Sequence, residues 1–275
     1  AGSTPQAVSA GQAFSPLAPA AGFLAVIEGD ASLESNESEG PVAIGGDLIV
    51  AGQYQITAAS DTTFPGDPAP TSLLVGGRLA LGAGQLHVNQ GVARIGDLTD
   101  LDIVTNGNIV HVVPAGGNSG TTPQMKVQGL SDIGGYQVAG PGLWTEVFGG
   151  AFAEFRAYSA AIAALDPSTC PGVHRVVLRD QNNQGPYPGS GNAGITIQPG
   201  VANVLDLTVA QLAAIPGVNT IGSLSADTPL VVNVVDAGDL TVPPANWGFI
   251  QGSNSAFVLW NYPNATSVTL PATGL

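Results

Sequence analysis

From Phe23 to Val113 the chain repeats a short apolar run closed by a glycine turn. Val26-Ile27-Glu28-Gly29-Asp30 is followed by Ala43-Ile44-Gly45-Gly46-Asp47-Leu48, then by Leu74-Val75-Gly76-Gly77-Arg78-Leu79 and Arg94-Ile95-Gly96-Asp97-Leu98. Most of the gaps are near the length of one β-solenoid turn, roughly 20 residues. Strand-like runs such as Leu48-Ile49-Val50 and Ile109-Val110-His111-Val112-Val113 lie between the glycines. One turn of such a chain cannot bury its own inner face, so the turns are expected to stack into a continuous core. The glycines are expected to supply the positive φ that a sharp corner needs. This pattern predicts an all-β chain built as a β-solenoid.

The period changes once. Phe148, Phe152, Phe155, Ser159 and Ile162 recur at helical spacing, with alanine dense between them. This predicts one α-helix over about 151–165, stopped by Asp166-Pro167 and doubtful at Gly149-Gly150. Its aromatic stripe reads first as core packing and only second as a ligand groove. Thr208-Val209-Ala210-Gln211 has the form of a capping box and opens a short helix reaching Ile215. Residues 60–70 and 181–194 read as polar, proline-bearing loops. Strands resume at Ile195-Thr196-Ile197 and dominate the last third. Residues 1–21, rich in Ala, Pro, Ser and Gly, are expected to be a flexible lead-in. Residues 22–275 are expected to form a single domain.

Composition narrows the function. Hydrophobic residues make up 44% and charged residues 9% of the chain, so this is a folded protein despite 38 Gly and 21 Pro. Twenty acidic residues against six basic ones give a net charge of −14. Nucleic acid and anionic lipid both need basic patches and are excluded as expected partners. No apolar run is long enough to cross a membrane as a helix. Cys170 is the lone cysteine, so no internal disulfide can form. The opening Ala1-Gly2-Ser3-Thr4-Pro5 would suit a mature secreted chain.

Three segments resemble the choice-of-anchor A domains. They are Gly29 to Leu48, the helix ending Phe155-Arg156-Ala157-Tyr158-Ser159-Ala160-Ala161, and Val258-Leu259-Trp260-Asn261-Tyr262-Pro263-Asn264-Ala265-Thr266. The resemblance covers about residues 22–275. The closing segment is also similar to ice-binding-like β-solenoids. The resemblance implies a right-handed β-solenoid with one α-helix packed along its side. It further implies a secreted, adhesive bacterial surface domain within a longer chain that continues past Leu275. It carries no residue-level binding site.

Several groups of residues could carry chemistry. Glu28, Asp30, Glu34, Glu37 and Glu39 cluster with Asn36. Carboxylates with an amide suit a hard cation, which makes Glu28 and Asp30 candidate calcium ligands. Glu34, Asn36, Glu37 and Glu39 are candidate binding residues. The spacing fits neither an EF-hand nor an RTX loop, and a solvated acidic turn is the plainer reading. Asp97, Asp100 and Asp102 form a similar, thinner group. His87, His111 and His174 are isolated and lack metal-ligand spacing. Cys170 sits in a turn, where an inert role is the default. Leu270-Pro271-Ala272-Thr273-Gly274 matches the sortase signal LPxTG, yet it also reads as a strand followed by a turn. Lys126 is the one residue that could form an isopeptide staple, and its neighbours alternate as in an ordinary strand.

The expected function is non-enzymatic adhesion by a secreted or wall-anchored protein, probed through a flat face or an end loop. The expected ligand is a matrix protein or a glycan surface, and the expected state is a monomer with no cofactor. Two other classes stay open. An ice-binding protein would need regular threonine ranks, and the threonines here keep no period. A glycan-processing enzyme would need paired carboxylates in a groove.

Overall fold

The computed structural model describes residues 18–56, 69–128, 136–138, 142–243, 247–250, 254 and 257–269. The sortase-like motif Leu270–Gly274, nearly all of the 60–70 loop and most of the expected lead-in lie outside them. The chain forms two compact units, Ala1–Phe155 and Arg156–Leu275. The first contains β1 (Ala25–Ile27), β2 (Ala31–Ser38), β3 (Val42–Ile44), β4 (Leu48–Ile56), β5 (Thr71–Leu81), β6 (Gln85–Val88), β7 (Val92–Asp97), β8 (Leu101–Asn106), β9 (Ile109–Pro114), β10 (Gln124–Gln128), β11 (Tyr136–Val138) and helix α1 (Leu143–Phe148). Helix α2 (Ala151–Ala163) spans the boundary. The second contains β12 (Val173–Arg175), β13 (Arg179–Asp180), β14 (Ala193–Thr196), β15 (Ala202–Leu207), helix α3 (Val209–Ala214), β16 (Val218–Ile221), β17 (Leu230–Val234), β18 (Ala237–Thr241), β19 (Val258–Asn261) and β20 (Asn264–Thr269).

In the first unit the repeated phrase becomes a parallel stack. Ala25, Val42, Leu73 and Ala93 stand in register, as do Ile27, Ile44, Val75 and Ile95. The chain then turns a corner, and Leu33, Val50 and Leu81 form the next rank. A second bend leads to Ser38, Ile56, Val88 and Val127. Side chains from all three runs, including Ile44, Leu48, Ile56, Leu73 and Leu86, meet in one buried core. Alternation along each strand sends the intervening residues outward.

The corner glycines have a different reason from the one expected. Gly29, Gly45, Gly46, Gly76, Gly77 and Gly96 are absent from the positive-φ set. All but Gly29 are needed because successive turns touch. A Cβ on Gly46 would stand 2.8 Å from the Asp30 backbone nitrogen, and one on Gly77 2.6 Å from the Gly46 carbonyl oxygen. A Cβ on Gly45 would stand 2.7 Å from the Trp144 ring. The first two turns also hold the next by a carboxylate. Asp30 Oδ1 accepts the Asp47 N–H at 2.8 Å, 17 residues on, and Asp47 Oδ1 accepts the Arg78 N–H at 2.8 Å, 31 residues on.

Helix α1 covers the outer side of the β1–β3–β5 ranks. Phe148, 2% exposed, packs with Phe23, Ala43, Leu74 and Ala151. The single expected helix is thus preceded by a second one, broken at Gly149-Gly150. Phe152 and Phe155 are half-buried, so Phe148 is the anchoring ring.

The second unit repeats the parallel pairing with longer turns. Asn203 pairs with Leu230, which pairs with Val258, and Leu205, Val232 and Trp260 share a rank. Its core includes Ile195, Leu205, Leu212, Leu230 and Trp247. The Thr208 capping box forms as expected, with Gln211 closing it, and opens α3. Asp206, Asn233 and Asn261 make a side-chain ladder. Asn233 Nδ2 donates to Asp206 Oδ1 at 2.8 Å, and Asn261 Nδ2 donates to Asn233 Oδ1 at 2.9 Å. Arg175 pairs with Asp206 at one end, and Ser159 bonds Asn261 at the other.

The chain is mostly β, as expected. The sheets are open and mixed, because β8, β9 and β10 pair antiparallel and β13 pairs antiparallel with β14. The β8–β9 hairpin turns at Gly107, whose φ of 60° is the kind that favours glycine. Strand pairing alone therefore does not define a closed right-handed coil.

Candidate functional site

The outward positions of β2, β4, β6 and β10 build a polar face. Register places Ser35, Gln53, Gln85 and Gln124 in one rank, and Glu37, Gln55, His87 and Lys126 in the next. Core residues between them, Leu86 and Met125, fix which way the alternating side chains point. The two ranks border an open hollow of about 580 Å³, lined by Ser35, Asn36, Glu37, Gln53, Tyr54, Gln55, Gln85 and His87.

Hydrogen bonding leaves much of this face available. Gln55 Oε1 accepts from Asn89 Nδ2 at 2.9 Å, and its amide nitrogen has no partner among the described residues. His87 Nε2 lies 3.5 Å from Gln85 Oε1. Ser35, Asn36, Glu37, Gln53 and Tyr54 make no side-chain hydrogen bond within the described residues. Partial burial pushes the His87 imidazole below its ordinary pKa, and the Lys126 charge adds to that. At the far end the first rank closes: Gln124 is buried, and its Oε1 lies 2.7 Å from His111 Nδ1. Glu37 is the sole carboxylate among the described lining residues.

The residues singled out from sequence fall in different places. Asn36 and Glu37 line the hollow, and Asn36 has a φ of 96°. Glu34 is exposed on β2. Glu39 borders a separate, mostly apolar groove of about 690 Å³ with Phe23, Leu24, Phe152 and Phe155. Asp30 is spent on the Asp47 backbone. Glu28 stands at the same corner, its carbonyl against Gly45. Among the described residues no three His, Cys, Asp or Glu side chains converge as a metal site would require. Asp100 Oδ2 meets Arg78 at 2.8 Å, and Asp102 Oδ2 accepts the Gly116 N–H at 2.7 Å, so each secures a turn. His174 sits on β12 beside Asn203, and Cys170 is partly exposed next to Thr169.

Sequence reading missed Gln53, Gln55 and Gln85, and named His87 only as an isolated histidine. The signal was there, since Gln53-Tyr54-Gln55, Gln85-Leu86-His87 and Gln124-Met125-Lys126 each put polar residues two apart around an apolar or aromatic one. Only the register shows that these triplets share one face.

Together these define a mostly β domain of stacked parallel turns with an outward polar face. The chain belongs to the family described as "Putative Ice-binding-like adhesive domain", whose model matches residues 16–275. Comparison with curated proteins and with solved structures gave no match. No helix among the described residues is long and apolar enough to cross a membrane.

Proposed function

We propose that this chain is the non-enzymatic adhesive domain of a secreted or wall-anchored bacterial surface protein. In this reading the stacked turns are a right-handed β-solenoid related to the choice-of-anchor A domains, with 22–275 as one domain of a longer chain. The polar face carries the proposal: its two ranks offer unspent hydrogen-bonding groups on a rigid sheet. A glycan or matrix protein is the ligand class, and many copies on one cell raise a weak contact to firm attachment.

The test displays the chain on beads and measures retention on glycan and matrix-protein arrays. Retention is expected on a subset of surfaces, with a several-fold loss in the double variant Gln53→Ala/Gln85→Ala. Unchanged retention in that variant would remove the face from the proposal. The ice-binding reading ranks lower, because the rank β14–β16 sets Ile195 against Thr220 and Thr196 against Ile221. Thermal hysteresis at micromolar protein would reverse that order.

A further inference from the structure

We infer that the polar face of the first unit binds an extended, uncharged, β-linked polysaccharide that runs across the rungs, one sugar to a rung. The inference rests on the adhesive reading and names its ligand. Paired strands are about 4.7–4.9 Å apart. That spacing is close to the advance of one pyranose in an extended β-linked chain. Each open rung offers a matched pair of polar side chains: Ser35 and Glu37 on β2, Gln53 and Gln55 on β4, Gln85 and His87 on β6. Carboxamides donate and accept at once, which suits hydroxyls that do the same. Along a strand the two members lie two residues apart, about 6.6 Å at strand rise. A flat sugar ring therefore bridges them through hydroxyls on its opposite sides. The fourth rung offers no matched pair, since Gln124 is buried against His111 and only Lys126 beside it is partly exposed. This limits the site to three sugars.

Charge favours an uncharged glycan. Glu37 heads one rank, and the chain carries a net charge of −14. A polyuronate or sulfated chain would meet repulsion at the first rung.

Isothermal titration calorimetry of the full chain with glucose, cellobiose, cellotriose, cellohexaose and maltohexaose tests the inference. Affinity is expected to rise about tenfold from cellobiose to cellotriose as the third rung engages. Cellohexaose should gain less than about fivefold more, the scale of the extra ways it can occupy three subsites. Maltohexaose, whose α-links curve the chain off the rungs, should bind at least about tenfold more weakly than cellohexaose. Gln53→Ala and Gln85→Ala should each weaken cellotriose about tenfold while leaving the melting temperature unchanged. Equal affinity for glucose and cellohexaose, no gain between cellobiose and cellotriose, or no effect of either variant overturns it. If no oligosaccharide binds yet the double variant loses surface retention, the glycan inference fails and the adhesive reading stands. If neither binding nor retention responds to the double variant, the glycan inference fails and the polar face is removed from the adhesive reading.

Discussion

Gly46 and Gly29 occupy equivalent places in the repeated phrase, yet they face different neighbours. Gly46 is sandwiched: its Cβ would meet the carboxylate and backbone nitrogen of Asp30. Gly29 has nothing within 4 Å of the position its Cβ would take. Gly46→Ala is therefore expected to cost about 2–3 kcal/mol, the upper part of the overpacking range. Gly29→Ala should stay within about 0.5 kcal/mol. Urea denaturation of both variants checks this, and equal losses would mean that stacking does not explain the repeat. A second residue-scale feature is the aspartate that folds its own turn. Asp180 accepts N–H groups from Gln184, Asn182 and Gly185, which hold its carboxyl below the usual range, the Gln184 contact foremost. Asp97, Asp166 and Asp239 are lowered mainly by bonds from Thr99, Ser168 and Thr266. A lowered folded pKa gives stability that is full above the unfolded value, about 4, and is lost as pH falls through the folded value. The melting temperature should accordingly hold near neutral pH and drop below about pH 4. Asp180→Asn should lower it at neutral pH and make the acid drop shallower. A parallel shift at every pH would contradict the assignment.

At the scale of elements, two helices and one ladder can be weighed. Phe148 ends α1 fully buried, whereas Phe152 opens α2 half-exposed. Phe148→Ala should cost about 3–5 kcal/mol, and Phe152→Ala about 1–2 kcal/mol. The opposite order in thermal melts would show that the sequence stripe, rather than the packed geometry, identifies the anchor. In the second unit Asn233 is fully buried and bonded on both sides. Asn233→Ala leaves Asp206 and Asn261 without that partner and should cost about 2–3 kcal/mol. Hydrogen exchange should then quicken in β15, β17 and β19 and stay unchanged in β3, β5 and β7; uniform quickening would mean that the two units unfold together. These elements also show what the sequence could and could not reveal. The capping box at Thr208 was legible because its contacts are local. The helix break at Gly149-Gly150 was legible as a doubt, but which ring is buried depends on the sheet beneath it. The glycine repeat was legible as stacking, yet its cause was misread, since close approach to Asp30 or Trp144 arises only once turns are paired. The polar face was hidden for a similar reason. Asp30 to Asp47 spans 17 residues and Asp47 to Arg78 spans 31, so no fixed period aligns Gln53 with Gln85. Asn36 and Glu37 were found through their charge and amide chemistry, not through the face they share.

For the whole molecule the decisive quantity is charge. Six cations serve 275 residues, and several are already engaged: Arg78 meets Asp100, Arg175 meets Asp206, and the buried Arg94 donates to Thr71. Lys126 stands at the inner end of the polar ranks, beside His87 and His111. A chain with this balance cannot gather counterion-laden polymers by electrostatic attraction. The adhesion proposed above would rest on hydrogen bonds and shape, whose strength hardly depends on ionic strength. Retention on the surface it recognises should therefore change less than about twofold between about 50 and 200 mM salt, whereas a protein gripping a polyanion through several phosphate-like contacts would lose orders of magnitude. Bead retention across that range, with heparin-coated and neutral glycan-coated surfaces side by side, separates the two. Salt-insensitive retention on the neutral surface and none on heparin is the expected result. Steep loss with salt would point to a charged ligand and would relocate the contact from the carboxamide ranks to the few exposed cations.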